Sequence, residues 1–347
     1  YLHKTTTLSQ VPTRKVYLTD SEWIALVHRN LQGLTAKDLP YRAIGIKGQA
    51  VFTMKDYEKL TENVNVTLPL HQQLTQMQTV LERTLKRRLN KFFMSEKAKA
   101  VYESMNAMQI EVLMKDVETK SEAEYFQVLG QKVFEKEVLE VTQQVEMFAF
   151  VDIAYLVQKW MPQAKARRQE LEKMDNAPIP LKKIEGSRLQ VTAEGIRLLQ
   201  YVATRVTPVR DYVGYSHLFI DEVQDVSLLW LGTLSNFYFR AKFTVVGDTY
   251  QSFTTSSTIF TLGARHPELV ELVFPNRTLT NRSLEISYRC TAQITRFANG
   301  ILKWPLDKNV FPRTGSEVTL YSDADGMQLT RLKGLLEESP QVYHTTA

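Results

Sequence analysis

His217-Leu218-Phe219-Ile220-Asp221-Glu222-Val223-Gln224-Asp225 is the stretch around which the rest of the chain can be placed. Three apolar residues run into a segment carrying three carboxylates and one amide. A short apolar run bounded by polar residues predicts a buried strand over Leu218 to Ile220. In open parallel sheets, ligands sit beyond the carboxyl ends of the strands. Asp221, Glu222, Gln224 and Asp225 are therefore expected at the mouth of a sheet.

Adjacent carboxylates at a strand end suit a particular chemistry. One can hold Mg²⁺, directly or through water, because Mg²⁺ takes hard oxygen ligands and keeps several waters. Its neighbour can orient or deprotonate an attacking water. Together they make the metal-and-water half of a nucleotide-hydrolysis site. The alternative is a strand end with solvated acids, and an isolated Asp-Glu pair does not separate the two.

The sequence on either side extends the pattern. Leu228 to Phe237 predicts a helix, and Ala241 to Val246 a second buried strand. That strand runs into Gly247-Asp248-Thr249-Tyr250-Gln251-Ser252. Strand, helix and strand with polar ends on one side describe an α/β sheet. Upstream, Thr192 opens a helix that Thr207 and Pro208 close. Downstream, Leu284 to Tyr288 leads to Arg289 and a helix from Thr291 to Ile301. Glu317 to Tyr321 and Gln341 to His344 predict strands flanking a helix from Met327 to Glu338, the start of a second α/β unit.

The N-terminal half reads differently. Thr19 with Glu22 fits a capping box before a helix that Gly33 stops. Ala43 to Ile46 and Ala50 to Thr53 predict short strands around Lys47-Gly48, and Lys55 to Glu62 a short helix. Leu70, Leu74, Met77, Leu81, Leu85, Leu89 and Phe92 then recur every three or four residues and line one helical face. Further helices are expected over Glu96 to Met108, Ser121 to Glu146 and Ala149 to Trp160. Only Gly130 interrupts Leu70 to Met161, so a helical module or hairpin is expected. Gln163 to Pro180 is the expected exit and linker.

Arg83, Lys86, Arg87, Arg88 and Lys91 cluster opposite the apolar face. They can track phosphates, but charge runs on exposed helices are more often solvated faces. The aromatic interleaving of a single-strand stacking platform is thin. Phe92-Phe93 is expected in the core.

With 347 residues the chain has room for two or three domains, and a hydrophobic fraction of 44% permits a sizeable core. A net charge of +5 allows a polyanionic partner without demanding one. The single cysteine, Cys290, excludes an intrachain disulfide and agrees with a reducing compartment. The first residues carry no apolar signal core. Met147 to Val157, the most apolar long segment, is interrupted by Asp152 and too short to span a bilayer. A cytoplasmic protein with no membrane partner is expected. The chain begins at Tyr1 without a Met, so a fragment or a processed chain is expected.

Three blocks stand in order: Asp221 to Asp225, Val246 to Ser252, and Ser287-Tyr288-Arg289-Cys290-Thr291 continuing to Phe297-Ala298-Asn299. They resemble motifs II, III and IV of superfamily 1 helicases of the UvrD/Rep type, over Val191 to about Ile301. The resemblance implies that Asp221 coordinates Mg²⁺ and Glu222 activates the hydrolytic water. Gln224 and Asp225 are expected among the cofactor-binding residues. It further implies that Gln251 senses the γ-phosphate, Arg289 reaches it from the second core domain, and Tyr288 stacks on adenine. Physically, Asp, Glu and Arg supply the metal, the water and the cation that phosphoryl transfer needs.

Departures accompany the matches. A P-loop needs Gly-Lys-Ser/Thr, and none of the 14 glycines is followed by Lys. Motifs V and VI are also missing. The chain is therefore expected to be an internal part of a longer ATPase, inactive alone, or a chain that has lost nucleotide binding. The retained acids and Arg289 favour the first.

Within the family, Tyr215 to Glu222 and Phe243 to Asp248 are most similar to HelD-type proteins, helicase-like ATPases that bind bacterial RNA polymerase. These carry a helical insertion ahead of motif II. The resemblance implies part of a RecA-like P-loop NTPase core with a large helical insertion and the start of a second RecA-like domain. Residues 1–53 would be part of the first core domain or lead into the insertion, with 54–180 the insertion, 181–283 the first core domain and 284–347 the start of the second. ATP and Mg²⁺ are the implied cofactors, RNA polymerase the implied partner. In a UvrD/Rep helicase the same insertion would grip DNA. A pseudo-ATPase binding module is the third expectation.

Overall fold

A computed structural model describes residues 6–7, 17–95, 104–119, 121–171, 179–183, 189–209, 214–248, 251, 259–260, 267–286 and 288–319. Contacts divide the chain into two compact units, Tyr1–Arg277 and Thr278–Ala347. The described residues are mixed α/β, with long helices and three small sheets.

In the first unit, α1 (Asp20–Leu31) opens on the predicted capping box. The Glu22 carboxylate accepts from Thr19 N, and Thr19 Oγ1 from Glu22 N. Gly33 lies just past its end with φ of 74°, a conformation that glycine adopts without strain. β2 (Ile44–Ile46) and β3 (Gln49–Phe52) form the predicted hairpin around Lys47-Gly48, followed by α2 (Met54–Glu62).

α3 (Leu70–Phe93) buries the predicted stripe, with Leu74, Met77, Leu81, Leu85, Leu89 and Phe92 all inside. It packs on α5 (Glu122–Glu146), which also contacts α4 (Ala107–Met114) and β2. Tyr41, Tyr57 and Phe150 stack on one another, with centroids 5.4 to 6.3 Å apart. These rings join α2 to the segments before β2 and after α5 in one core.

Two helical expectations need correction. Of the helix expected over Glu96 to Met108, residues 96–103 lie outside the described residues, and Ser104 to Asn106 are not helical. Asn106 instead caps α4, accepting from Gln109 N at 2.9 Å, a use of Asn that favours helix starts over interiors. The expected linker from Gln163 begins instead as helix. α6 (Ile153–Glu170) runs through Pro162, because its later turns bury Ala164 and Arg168. Arg168 donates to Tyr17 O at 3.0 Å and lies over the Tyr17 ring. That tertiary contact outweighs the loss of one helical hydrogen bond at proline.

A small sheet of order β1-β5-β4 follows, from β1 (Thr6–Thr7), β4 (Leu181–Lys183) and β5 (Leu189–Val191). Thr192 caps α7 (Ala193–Val206) as predicted. The chain then makes β6 (His217–Ile220), α8 (Leu228–Phe237) and β7 (Lys242–Val245), a parallel strand pair joined by a helix. Here the expectation of buried strands is corrected. Ile220, Phe243 and Val245 pack against the core. His217 and Phe219 point the other way, and Phe219 is 74% exposed. Alternation is the natural outcome of a period of two when only one face is covered. α9 (Pro267–Val273) packs on α1 and α8.

In the second unit, Thr291 caps α10 (Ala292–Ile301), whose first amide donates to Arg313 O at 2.8 Å. Asn299 donates to the carbonyls of Leu306 and Lys308 and closes the following turn. Of the strand expected over Glu317 to Tyr321, residues 317–319 are described and form none. The helix expected over Met327 to Glu338 and the strand over Gln341 to His344 lie outside the described residues.

Candidate functional site

The acids sit where β6 ends and before α8 begins. Asp221 Oδ1 accepts from Glu222 N at 2.9 Å, clipping the turn. Glu222 takes a left-handed conformation, φ 49° and ψ 40°, uncommon for a residue with a long side chain. A single 3-10 turn, Val223–Asp225, follows. Val223 N donates to Val246 O at 3.0 Å and Val246 N to Ile220 O at 2.8 Å, so the β6–β7 pairing continues into both loops. The carboxylates of Asp221, Glu222 and Asp225 are on exposed residues.

Gln224 is the exception. It is 3% exposed. Its Oε1 accepts from Asp248 N at 3.0 Å, and its Nε2 donates to Glu222 Oε2 at 2.7 Å. The Gln224 amide is thus engaged between the two loops. A Cβ added to Gly247 would meet Gln224 Oε1 at 2.3 Å and Val223 N at 3.0 Å, so any side chain there would displace the Gln224 amide. Asp248 Oδ2 in turn accepts from Gln251 Nε2 at 3.0 Å. Gln251, Asp248, Gln224 and Glu222 thus form one chain of contacts, drawn from two sequence blocks 20 to 30 residues apart. Thr249, Tyr250 and Ser252 lie outside the described residues.

The turn is braced from α1. Asp20, buried in its first turn, accepts from Ser227 Oγ at 2.5 Å and from Leu229 N at 3.4 Å, at the start of α8. Nearby, the buried Glu194 carboxylate accepts from Tyr17 N at 2.9 Å, Leu18 N at 3.3 Å and Trp23 Nε1 at 2.6 Å. Burial pushes this carboxyl above its ordinary value against those three donors, and the Asp20 charge adds to the rise. The far end of α8 is held by Arg277, which donates to the carbonyls of Ala241, Ser235, Tyr238 and Phe239 and stacks over Phe243. Sequence reasoning missed these anchors. Asp20 carries a weak signal only, as an acid in a first helical turn; Glu194 and Arg277 carry none.

Tyr288 and Arg289 belong to the second unit. The Tyr288 ring is 65% exposed and lies 4.8 Å from Phe311. The Arg289 carbonyl accepts from the Arg313 guanidinium. Its own side chain is exposed, with no hydrogen bond or ion pair among the described residues. Ser287 lies outside them.

Among the described residues, no group of three or more His, Cys, Asp or Glu is placed to hold a metal ion. A phosphate-bound Mg²⁺ needs only one or two carboxylates and keeps its waters. Exposed Asp221, oriented by its bond to Glu222 N, fits that lesser demand.

The basic cluster on α3 loses one member. Arg88 pairs with Asp56 at 2.6 Å and lies over the Phe52 ring. Burial raises the Asp56 carboxyl, but the hydrogen bonds from Arg88 and Thr53 together outweigh it and bring it down to about 2. Arg83, Lys86, Arg87 and Lys91 remain exposed. No helix among the described residues is long and apolar enough to cross a membrane.

No protein-family model matches the chain, and no curated protein matches it.

Proposed function

We propose that these residues belong to the RecA-like core of an ATP-dependent, helicase-like motor of the UvrD/Rep class, of the HelD type, which binds and remodels or recycles bacterial RNA polymerase. The observation that carries this is the contact chain from Gln251 through Asp248 and Gln224 to Glu222, at the carboxyl ends of neighbouring parallel strands. A motor needs the residue that sees the phosphate and the residue that handles the water to be mechanically linked. In this reading Asp221 would hold Mg²⁺, and the ion would supply charge neutralisation to the phosphates when bound. Glu222 orients and deprotonates the attacking water. Arg289 brings a cation to the γ-phosphate and Tyr288 a ring to the base.

Two experiments test it. In the parent protein, Glu222→Gln is expected to lower ATP turnover by about 100-fold or more while ATP binding persists. Turnover close to wild type removes Glu222 from its role. With the chain itself, gel filtration against RNA polymerase core enzyme is expected to give a complex.

The exposed stripe of Arg83, Lys86, Arg87 and Lys91 favours a second reading, a DNA helicase or translocase. It predicts steeply salt-dependent DNA binding, weakened by Arg83→Ala with Arg87→Ala. Arg88 is a poor choice for that test because it is tied to Asp56. Polymerase binding without such DNA binding decides for the first reading.

A further inference from the structure

We infer that Gln224 is a positioning residue that fixes the Glu222 carboxylate against the backbone of Asp248. Its consequence for catalysis rests on the motor reading above; the linkage itself does not.

Chemistry fixes the orientation of this amide. Asp248 N can only donate, so the atom facing it at 3.0 Å is the Gln224 oxygen. The nitrogen then faces the Glu222 carboxylate at 2.7 Å, which can accept. The amide offers an acceptor to one loop and a donor to the other. Glutamate would keep the bond to Asp248 N but set a second carboxylate against Glu222. Leucine would keep the volume and lose both bonds.

The surroundings make the link stiff. Gln224 is buried, so leaving either end of its amide unpaired is costly. The absent Cβ at Gly247 lets the loop close onto Gln224 Oε1. Glu222 is held in a left-handed conformation that most residues avoid, and its own carboxylate bond to Gln224 is one of the contacts keeping it there.

The test is hydrogen exchange by NMR on the chain, without nucleotide, following the Asp248 amide proton and the Gln224 side-chain amide protons. Glu222→Ala changes an exposed side chain and is expected to fold. It should speed exchange of the Gln224 side-chain protons by about 10-fold while the Asp248 amide stays protected. Gln224→Leu should speed exchange at Asp248 by a similar factor. Gln224→Glu should keep Asp248 protected but shift the Glu222 side-chain resonances. Unchanged Gln224 exchange in Glu222→Ala overturns the inference, even if the Gln224 variants fail to fold. So does Gln224→Leu with wild-type exchange at Asp248. Because no nucleotide is present, these rates can match while ATP turnover fails, or the reverse, and the two failures stay distinct.

Discussion

The helix α3 and the strand β6 are both amphipathic, yet the chain spends their apolar faces differently. Along α3, Leu74, Met77, Leu81 and Leu89 are at most 1% exposed, and the helix packs on α5 and β3. Along β6, Ile220 packs inward while Phe219 remains 74% exposed with His217 stacked on it at 4.3 Å. Packing covers the apolar face of the first region; in the second, packing on one side of the strands is joined by hydrogen bonds between the loops at their ends. Regions that leave apolar surface and carboxylates open are where binding is expected, because burial there has not yet been satisfied.

The contrast can be broken most directly by Leu81→Ala. It should cost about 2–5 kcal/mol, read by urea denaturation with circular dichroism. A cost under about 1 kcal/mol would mean that α3 is not packed as described.

Gly247→Ala comes next. The added methyl group runs into Gln224 and Val223, so a loss of about 1–3 kcal/mol is expected, with faster exchange at Asp248. Full stability would show that the β7 loop gives way easily and that the second region is looser than its hydrogen bonds suggest.

Glu194 gives a pH signature. Its folded pKa is raised above the ordinary 4.5. Such a group stabilises most below its unfolded pKa, and that contribution is lost as pH rises through the folded value. Thermal melts of the wild type and Glu194→Gln should therefore differ in slope from pH 4.5 upward, with the wild type losing ground as pH rises. Parallel slopes would contradict the buried carboxylate.

The smallest effect belongs to Phe219→Ala. At so exposed a site the cost should stay within about 0.5 kcal/mol. A larger loss would mean that something covers this face, and would erase the difference between the two regions.

Much of this was legible in advance for one physical reason: local signals are short-range. The stripe from Leu70 to Phe92, the caps at Thr19 and Thr192, and the strand-helix-strand order around Asp221 depend on neighbours within one or two turns. The errors lie where distant residues intervene. Arg168 kept α6 helical past Pro162 by reaching Tyr17. Arg88 left the basic face for Asp56.

Sequence alone determined the identity and order of the acids, the glycine after β7 and the helical periodicities. These follow from composition and spacing, which need no coordinates. Only the tertiary structure decided which polar groups are spent on one another, because that depends on which loops meet. The Gln224 amide, flanked in sequence by Val223 and Asp225, finds its partner in Asp248, 24 residues away, where the parallel pairing of β6 and β7 brings two loop backbones within hydrogen-bonding distance.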